Sequence, residues 1–91
     1  LVFIDNQASD RFTVIEVNAQ DRPALLHDLG CALFNARLTI SSAHIATYGE
    51  RAVDVFYVSD LFSHKITNQN RLKAIEKRLL VAADAARISE K

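Results

Sequence analysis

A chain of 91 residues, 49% apolar, carries 11 basic and 11 acidic side chains and no formal net charge. That is one small domain with a thin core: a chain this size buries only somewhat over ~60% of its unfolded surface, and such domains often gain stability from a partner. A neutral chain lacks the clustered basic excess of a nucleic-acid binder and meets little charge repulsion in self-association.

The single cysteine, Cys31, excludes a disulfide framework within the chain and fits a reducing compartment, hence a cytoplasmic location. No apolar run approaches the ~18 residues of a membrane span and no signal peptide opens the chain, so neither membrane nor nucleic acid is an expected partner. The sequence starts on a strand-like segment at Leu1, which reads as a piece of a longer polypeptide.

Leu1-Val-Phe-Ile4 is short, apolar and β-prone, and Asp5 to Asp10 has turn chemistry. Phe12 to Asn18 reads as a strand with Thr13, Ile15 and Val17 on one face and Phe12, Val14, Glu16 and Asn18 on the other. A helix is expected from Pro23 to about Ala36, with Pro23 at the first helical position, where its missing N–H is harmless. Leu25, Leu29, Ala32 and Ala36, widened by Leu26 and Leu33, form its apolar stripe. Gly30 within that helix costs about 1 kcal/mol relative to alanine, which points to close packing against it. Cys31, in the same helix, is expected to behave as a small buried apolar residue.

Leu38 to Tyr48 reads as a long strand whose apolar positions change parity, from Leu38 and Ile40 to Ala43 and Ile45. A strand changes parity only with an extra residue, so a β-bulge is predicted near Ser41-Ser42. Tyr48-Gly-Glu-Arg51 is a hairpin signal of type II′, followed by a return strand from Ala52 to Val58. Its pairing sets Ala43 opposite Phe56, Ile45 opposite Asp54, His44 opposite Val55 and Ser42 opposite Tyr57; Ala43, Ile45, Phe56 and Val58 are assigned to the core. After a connection from Asp60 to Ile66, Thr67 or Asn68 caps a second helix reaching about Ala86, with Leu72, Ile75, Leu79 and Ala82 or Ala83 inward and Arg71, Lys73, Lys77 and Arg78 on a solvated face. Arg87 to Lys91 is too short and polar for a strand.

The expected domain therefore covers residues 1–91, with a strand at 2–5 and a core unit at 12–86. It is an α+β ferredoxin-like two-layer sandwich: an antiparallel sheet with two helices on one face, the N-terminal strand filling the fourth strand position that no segment after the second helix supplies.

No catalytic constellation accompanies this fold. His27-Asp28 lacks the further helical ligands of a metal phosphohydrolase, and His44 and His64 fall on a strand and a connection. His27 and Cys31 are four apart, too few ligands for a metal. Ser41-Ser42 near His44 has no strained elbow and no acid partner, and a chain with only Gly30 and Gly49 has no glycine-rich phosphate loop. Binding or assembly is the expected role. The loop that fits it is Asn18-Ala-Gln-Asp-Arg-Pro-Ala-Leu-Leu26, where a strand ends at a helix start and free backbone N–H groups can hold a small anion such as an amino-acid carboxylate. Asp21 is placed to take an ammonium group; alternatively, Asp21 and Pro23 only shape the helix start.

The strand Thr13–Val17, the loop Asn18-x-x-Asp-Arg-Pro-x-Leu-Leu26 and the hairpin Ala43-His-Ile-Ala-Thr-Tyr-Gly-Glu-Arg51 resemble an ACT domain. Over roughly residues 2–82, the run Ser-Ala-His-Ile-Ala-Thr-Tyr-Gly-Glu-Arg-Ala-Val-Asp-Val-Phe-Tyr-Val with Asp60-Leu-Phe62 is similar to the C-terminal ACT domain of the bifunctional enzymes that uridylylate and de-uridylylate the PII signalling protein. The resemblance implies a glutamine-sensing regulatory domain in nitrogen assimilation, with no catalytic residues of its own. It implies a parent enzyme with PII protein as its substrate and magnesium for its catalytic domains, and a neighbouring ACT copy or a second chain as its partner. It carries the ligand site onto Asn18, Asp21, Arg22, Pro23, Ala24, Leu25 and Leu26. Ala24 stands where ACT loops most often have glycine; it fits an ordinary helix start but adds a methyl where a ligand would press. Ser63 likewise stands where close relatives tend to have glycine. The alternatives are an ACT copy that pairs and binds no ligand, and an ACT domain of another metabolic enzyme sensing a different amino acid.

Overall fold

The computed structural model describes residues 1–89, and the side chains of residues 1–84. Its elements run β1 (Val2–Asp5), β2 (Thr13–Gln20), α1 (Leu25–Asn35), β3 (Thr39–Tyr48), β4 (Arg51–Ser59) and α2 (Gln69–Ser89). The strands form one sheet in the order β1-β2-β4-β3, every pairing antiparallel. This is the expected ferredoxin-like sandwich, with β1 beside β2 in the fourth strand position.

Strand alternation builds the core. Thr13, Ile15, Val17 and Ala19 of β2 and Ala52, Asp54, Phe56 and Val58 of β4 are buried on the helix-facing side. Leu25, Leu29 and Leu33 of α1 and Ile75 and Leu79 of α2 close over them. The ladder of β3 on β4 slips between Ile40 and Ser42, which places the predicted bulge at Ser41. The four cross-strand pairs expected from the hairpin all occur, and Gly49 takes φ 62 in the two-residue turn.

Several expectations are corrected. Ala43 and Ile45 share the helix-facing side with Phe56, yet both are exposed, Ile45 by 50%. They lie on β3, the sheet edge, where the helices leave the sheet partly uncovered. Helix α1 begins at Leu25, two residues beyond Pro23, because the chain first makes a left-handed step at Ala24. No atom lies within 4 Å of where a Cβ on Gly30 would sit, so nothing packs closely there. Cys31 is exposed. Helix α2 runs past Ala86 to Ser89, with Glu90 and Lys91 outside the described residues. Asn68 caps it, its Oδ1 accepting the Arg71 N–H at 2.9 Å.

Arg71 is not simply solvated: it donates to the Ala36 and Arg37 carbonyls, each at 3.3 Å, at the C-terminus of α1. That end is closed by Arg37 in the left-handed region, φ 64, with Arg37 N–H donating to Phe34 O at 2.9 Å and Leu38 N–H to Leu33 O at 3.1 Å.

A polar node ties the two layers at the opposite end of β2. The Thr13 hydroxyl donates to Asn6 Oδ1 at 2.6 Å and accepts the Ile66 N–H at 2.9 Å, while Asn6 Nδ2 donates to Ile66 O at 2.7 Å. The three groups satisfy one another where β1, β2 and the entry to α2 converge. Thr13→Val keeps the shape and strands the buried Ile66 N–H, so chemical denaturation should show a loss of about 1–3 kcal/mol, with Thr13→Ser retaining most of the stability. Equal stability of the valine and serine variants would remove the node from this account.

Candidate functional site: the strand–helix loop

The ladder of β2 and β4 ends at Gln20 and Arg51, and the Asp21 N–H extends it by donating to Glu50 O at 2.8 Å. The chain then turns through Arg22 and Pro23, and Ala24 takes φ 65 and ψ 7 before α1 starts. The Leu25 N–H donates to Arg22 O at 3.2 Å and the Asp28 N–H to Ala24 O at 2.9 Å. No side chain caps the helix, and among the described residues the N–H groups of Leu26 and His27 have no hydrogen-bond acceptor. The expected free donors at the helix start are therefore present.

The loop has two sides with different polar accounts. On one side Asn18, Asp21, Arg22 and Pro23 line a cleft of about 450 Å³ against Arg51 and against Leu80 and Asp84 of α2. Polar groups there are largely satisfied. Arg51 donates to Asn18 Oδ1 through Nη2 at 2.7 Å and Nε at 3.2 Å. Arg22 donates to Ala82 O at 2.6 Å and Pro23 O at 3.1 Å and pairs with Asp28 at 3.0 Å, so its guanidinium clamps the loop to both helices. Its Nε alone is buried without a partner.

The helix-facing side is different. Asp54 is 2% exposed, and its Oδ1 is buried with no donor among the described residues. Burial, and then the negative charge of Asp21, push its carboxyl above the ordinary 3.8. Asp54 thus pairs with Val17 of β2 as a buried acceptor without a donor, and it is not among the residues that line the cleft.

Of the seven residues expected at the site, Asn18, Asp21, Arg22 and Pro23 come together on the cleft. Ala24 shapes the helix start, Leu26 is exposed, and the Leu25 side chain belongs to the core at 3% exposure. The expectation that Ala24 fits an ordinary helix start is corrected: it occupies the backbone conformation that glycine takes without penalty. His27 stands 3.5 Å from Cys31 Sγ, and among the described residues no three His, Cys, Asp or Glu side chains gather as a metal site would need. Sequence reasoning missed Arg51, Leu80 and Asp84 across the cleft, and the significance of Asp54. For Asp54 the signal was available: an acid on the buried parity of a strand, between Ala52 and Phe56.

The architecture defines a small α+β domain of ferredoxin-like topology. The family model described as the ACR family N-terminal ACT domain matches residues 8–85, and the chain belongs to the ACT domains. The bifunctional uridylyltransferase/uridylyl-removing enzyme of Zymomonas mobilis subsp. mobilis is 99% identical over 91 residues, which are 100% of this chain and 10% of that protein. The enzyme of the same name from Novosphingobium aromaticivorans is 60% identical over 90 residues, 99% of this chain and 10% of that protein. The chain thus spans about a tenth of the length of these relatives. In fold it is similar to the crystal structure of an unknown protein from Galdieria sulphuraria, with a TM-score of 0.61 and 25% identity over 76% of this chain and 36% of that one. No helix among the described residues is long and apolar enough to cross a membrane.

Because Ala24 sits at positive φ, Ala24→Gly should relieve strain and stabilise the domain by about 1 kcal/mol, a left-handed alanine costing ~1–2 kcal/mol less the extra entropy of glycine. Thermal or urea unfolding measures this, and a destabilised glycine variant would contradict the left-handed assignment.

Proposed function

We propose that this domain is a glutamine-sensing regulatory module of a bifunctional uridylyltransferase/uridylyl-removing enzyme that modifies the PII protein. The observation that carries the parent assignment is the 99% identity extending over the whole chain. In the parent, magnesium serves the catalytic domains, and this domain supplies nitrogen status to them without chemistry of its own.

Geometry supports the sensing role. The N–H groups of Leu26 and His27, at the positive end of the α1 dipole, suit the ligand carboxylate, and Asp21 suits its ammonium. Left-handed Ala24 is the step at which the chain turns into α1. A neighbouring ACT copy forms the remaining wall. Strand β3 is an unpaired sheet edge with Ile40 and Ile45 exposed on its helix-facing side, 39% and 50%, a surface suited to extension by another sheet.

Calorimetric titration of the full-length enzyme with L-glutamine tests this reading. Saturable heat and a rise in melting temperature are expected, since a ligand that binds only the folded state stabilises it. No heat and no shift at millimolar glutamine would overturn the sensing role. Ala24→Gly should leave binding intact or improve it. The coding sequence upstream should specify a nucleotidyltransferase domain and an HD-type hydrolase domain; their absence would end the parent assignment.

Pairing has its own test. Ile45→Lys puts a charge into the expected contact and should reduce the glutamine-induced rise in melting temperature. An unchanged rise would remove the neighbouring copy from the site.

A further inference from the structure

We infer that the sheet face turned away from the helices is an interface with a second copy of this chain, stacked sheet on sheet about a two-fold axis that runs along β4 through Val55. The inference is independent of the sensing role. It also leaves the β3 edge free, because the contact is made by the face of the sheet.

Strand β4 is apolar on both of its faces. Ala52, Phe56 and Val58 are buried toward the helices, while Val53, Val55 and Tyr57 lie half-buried on the opposite face. An antiparallel strand with one solvated face alternates apolar with polar residues, whereas a strand covered on both faces reads as a near-continuous apolar run. From Ala52 to Val58 β4 is of the second kind, and its one polar interruption, Asp54, is buried on the helix-facing side. Neighbouring strands extend the apolar surface. Phe3 of β1 is 72% exposed, and Val14 of β2 lies opposite Tyr57. The Tyr57 ring makes edge-to-face contacts with Phe12 and with His44, at centroid distances of 6.4 and 5.6 Å. Among the described residues both helices serve the other face, and no element covers this one.

One cross-strand row selects the occupant. Phe3, Glu16, Val55 and His44 are successive register partners across β1, β2, β4 and β3. Glu16 is an acceptor flanked by Phe3 and Val55, neither of which can donate to it, and the His44 imidazole carries at least one N–H. The two polar groups stand one strand to either side of Val55. Stacked sheets pack about 10 Å apart with strand directions within about 30° of each other. A two-fold axis along β4 sets Val55 against Val55 of the second copy and β2 against that copy's β3. Glu16 then faces His44 of the second copy, and His44 faces Glu16 of the second copy. One patch thus makes two equivalent contacts, as a self-complementary interface requires. An axis across the strands along the same row would set Glu16 against Glu16. On β4 itself Val53 and Tyr57 meet their own counterparts, so an apolar centre lies between the two polar contacts. The formal net charge of zero adds no long-range repulsion between copies.

Sedimentation equilibrium of the full-length enzyme at micromolar concentrations tests this with two substitutions, Glu16→Lys and His44→Glu. The wild-type enzyme should self-associate. Each substitution alone removes the complementary pairing at both contacts and should weaken self-association by roughly tenfold or more, like charge against like charge in the second case. Mixed in equal amounts, the two variant enzymes should associate as the wild type does, because each contact then joins an acid to a donor of the other copy. Recovery on mixing requires both variants to be folded and the contact to run between chains. A monomeric wild-type enzyme would overturn the inference. So would an association that both variants leave unchanged, which would belong to another surface. Variants that weaken association and fail to recover when mixed would overturn it too.

Discussion

The domain depends on one row of side chains. Thr13, Ile15, Val17 and Ala19 of β2 point at the helices from the middle of the sheet, and β1, β4 and α2 are positioned directly against that strand. Strands β1 and β4 flank it, α2 packs on β1 and β2, and α1 meets α2 over the same core. The row has a polar start and a small end. At Thr13 the hydroxyl locks onto Asn6 and Ile66. At Ala19 the small side chain leaves room for the loop to leave the sheet and climb to α1. At the first end polar groups are mutually satisfied; at the second the α1 start has no side-chain cap and Asp54 Oδ1 has no donor among the described residues.

This polarity explains where the loop is rigid and where it is open. Arg22 holds it from beneath by reaching Ala82 O on α2 and Asp28 on α1, and Arg51 fastens Asn18 to the adjacent strand. Those contacts fix the backbone on the cleft side. The helix start receives no such help: no side chain caps it, and Ala24 holds a left-handed conformation that alanine adopts only at a cost. The loop is thus anchored on one side by these contacts and left with unsatisfied donors on the other.

Much of the fold was legible because it rests on period and turn chemistry. The parity change between Ile40 and Ala43 required an extra residue, and Ser41 is that residue. Tyr48-Gly-Glu-Arg51 set the register of the hairpin to the residue. What the pattern could not supply was coverage. Ala43 and Ile45 have the parity of core residues, but burial also needs a helix above them, and at the sheet edge the cover is incomplete. The start of α1 failed for a related reason. Proline suits the first turn of a helix, yet the loop must first rotate away from β2, and that rotation falls on Ala24, a residue with no propensity for it. Gly30 misled in the opposite way, since a glycine in a helix suggests a close neighbour and here there is open space.

Asp54 shows how a pattern can hold a conflict without declaring it. Its position opposite Ile45 followed from the hairpin alone, and its parity matched Ala52, Phe56 and Val58, all buried. An acid in that row conflicts with its surroundings, and a fold retains such a conflict at a cost unless the charge is useful. A donor directly opposite it on β2 or β3 would have removed it, and those positions hold Val17 and Ile45. Val17 and Ile45 flank the carboxylate, Ala24 stands at the cap, and the donors and the acceptor are left unpaired at the same end of the sheet. Each is a defect when considered separately. Together they leave polar groups unsatisfied toward the end of β2, where the Thr13 node at its start leaves none, so the two ends of one strand carry opposite polar balances.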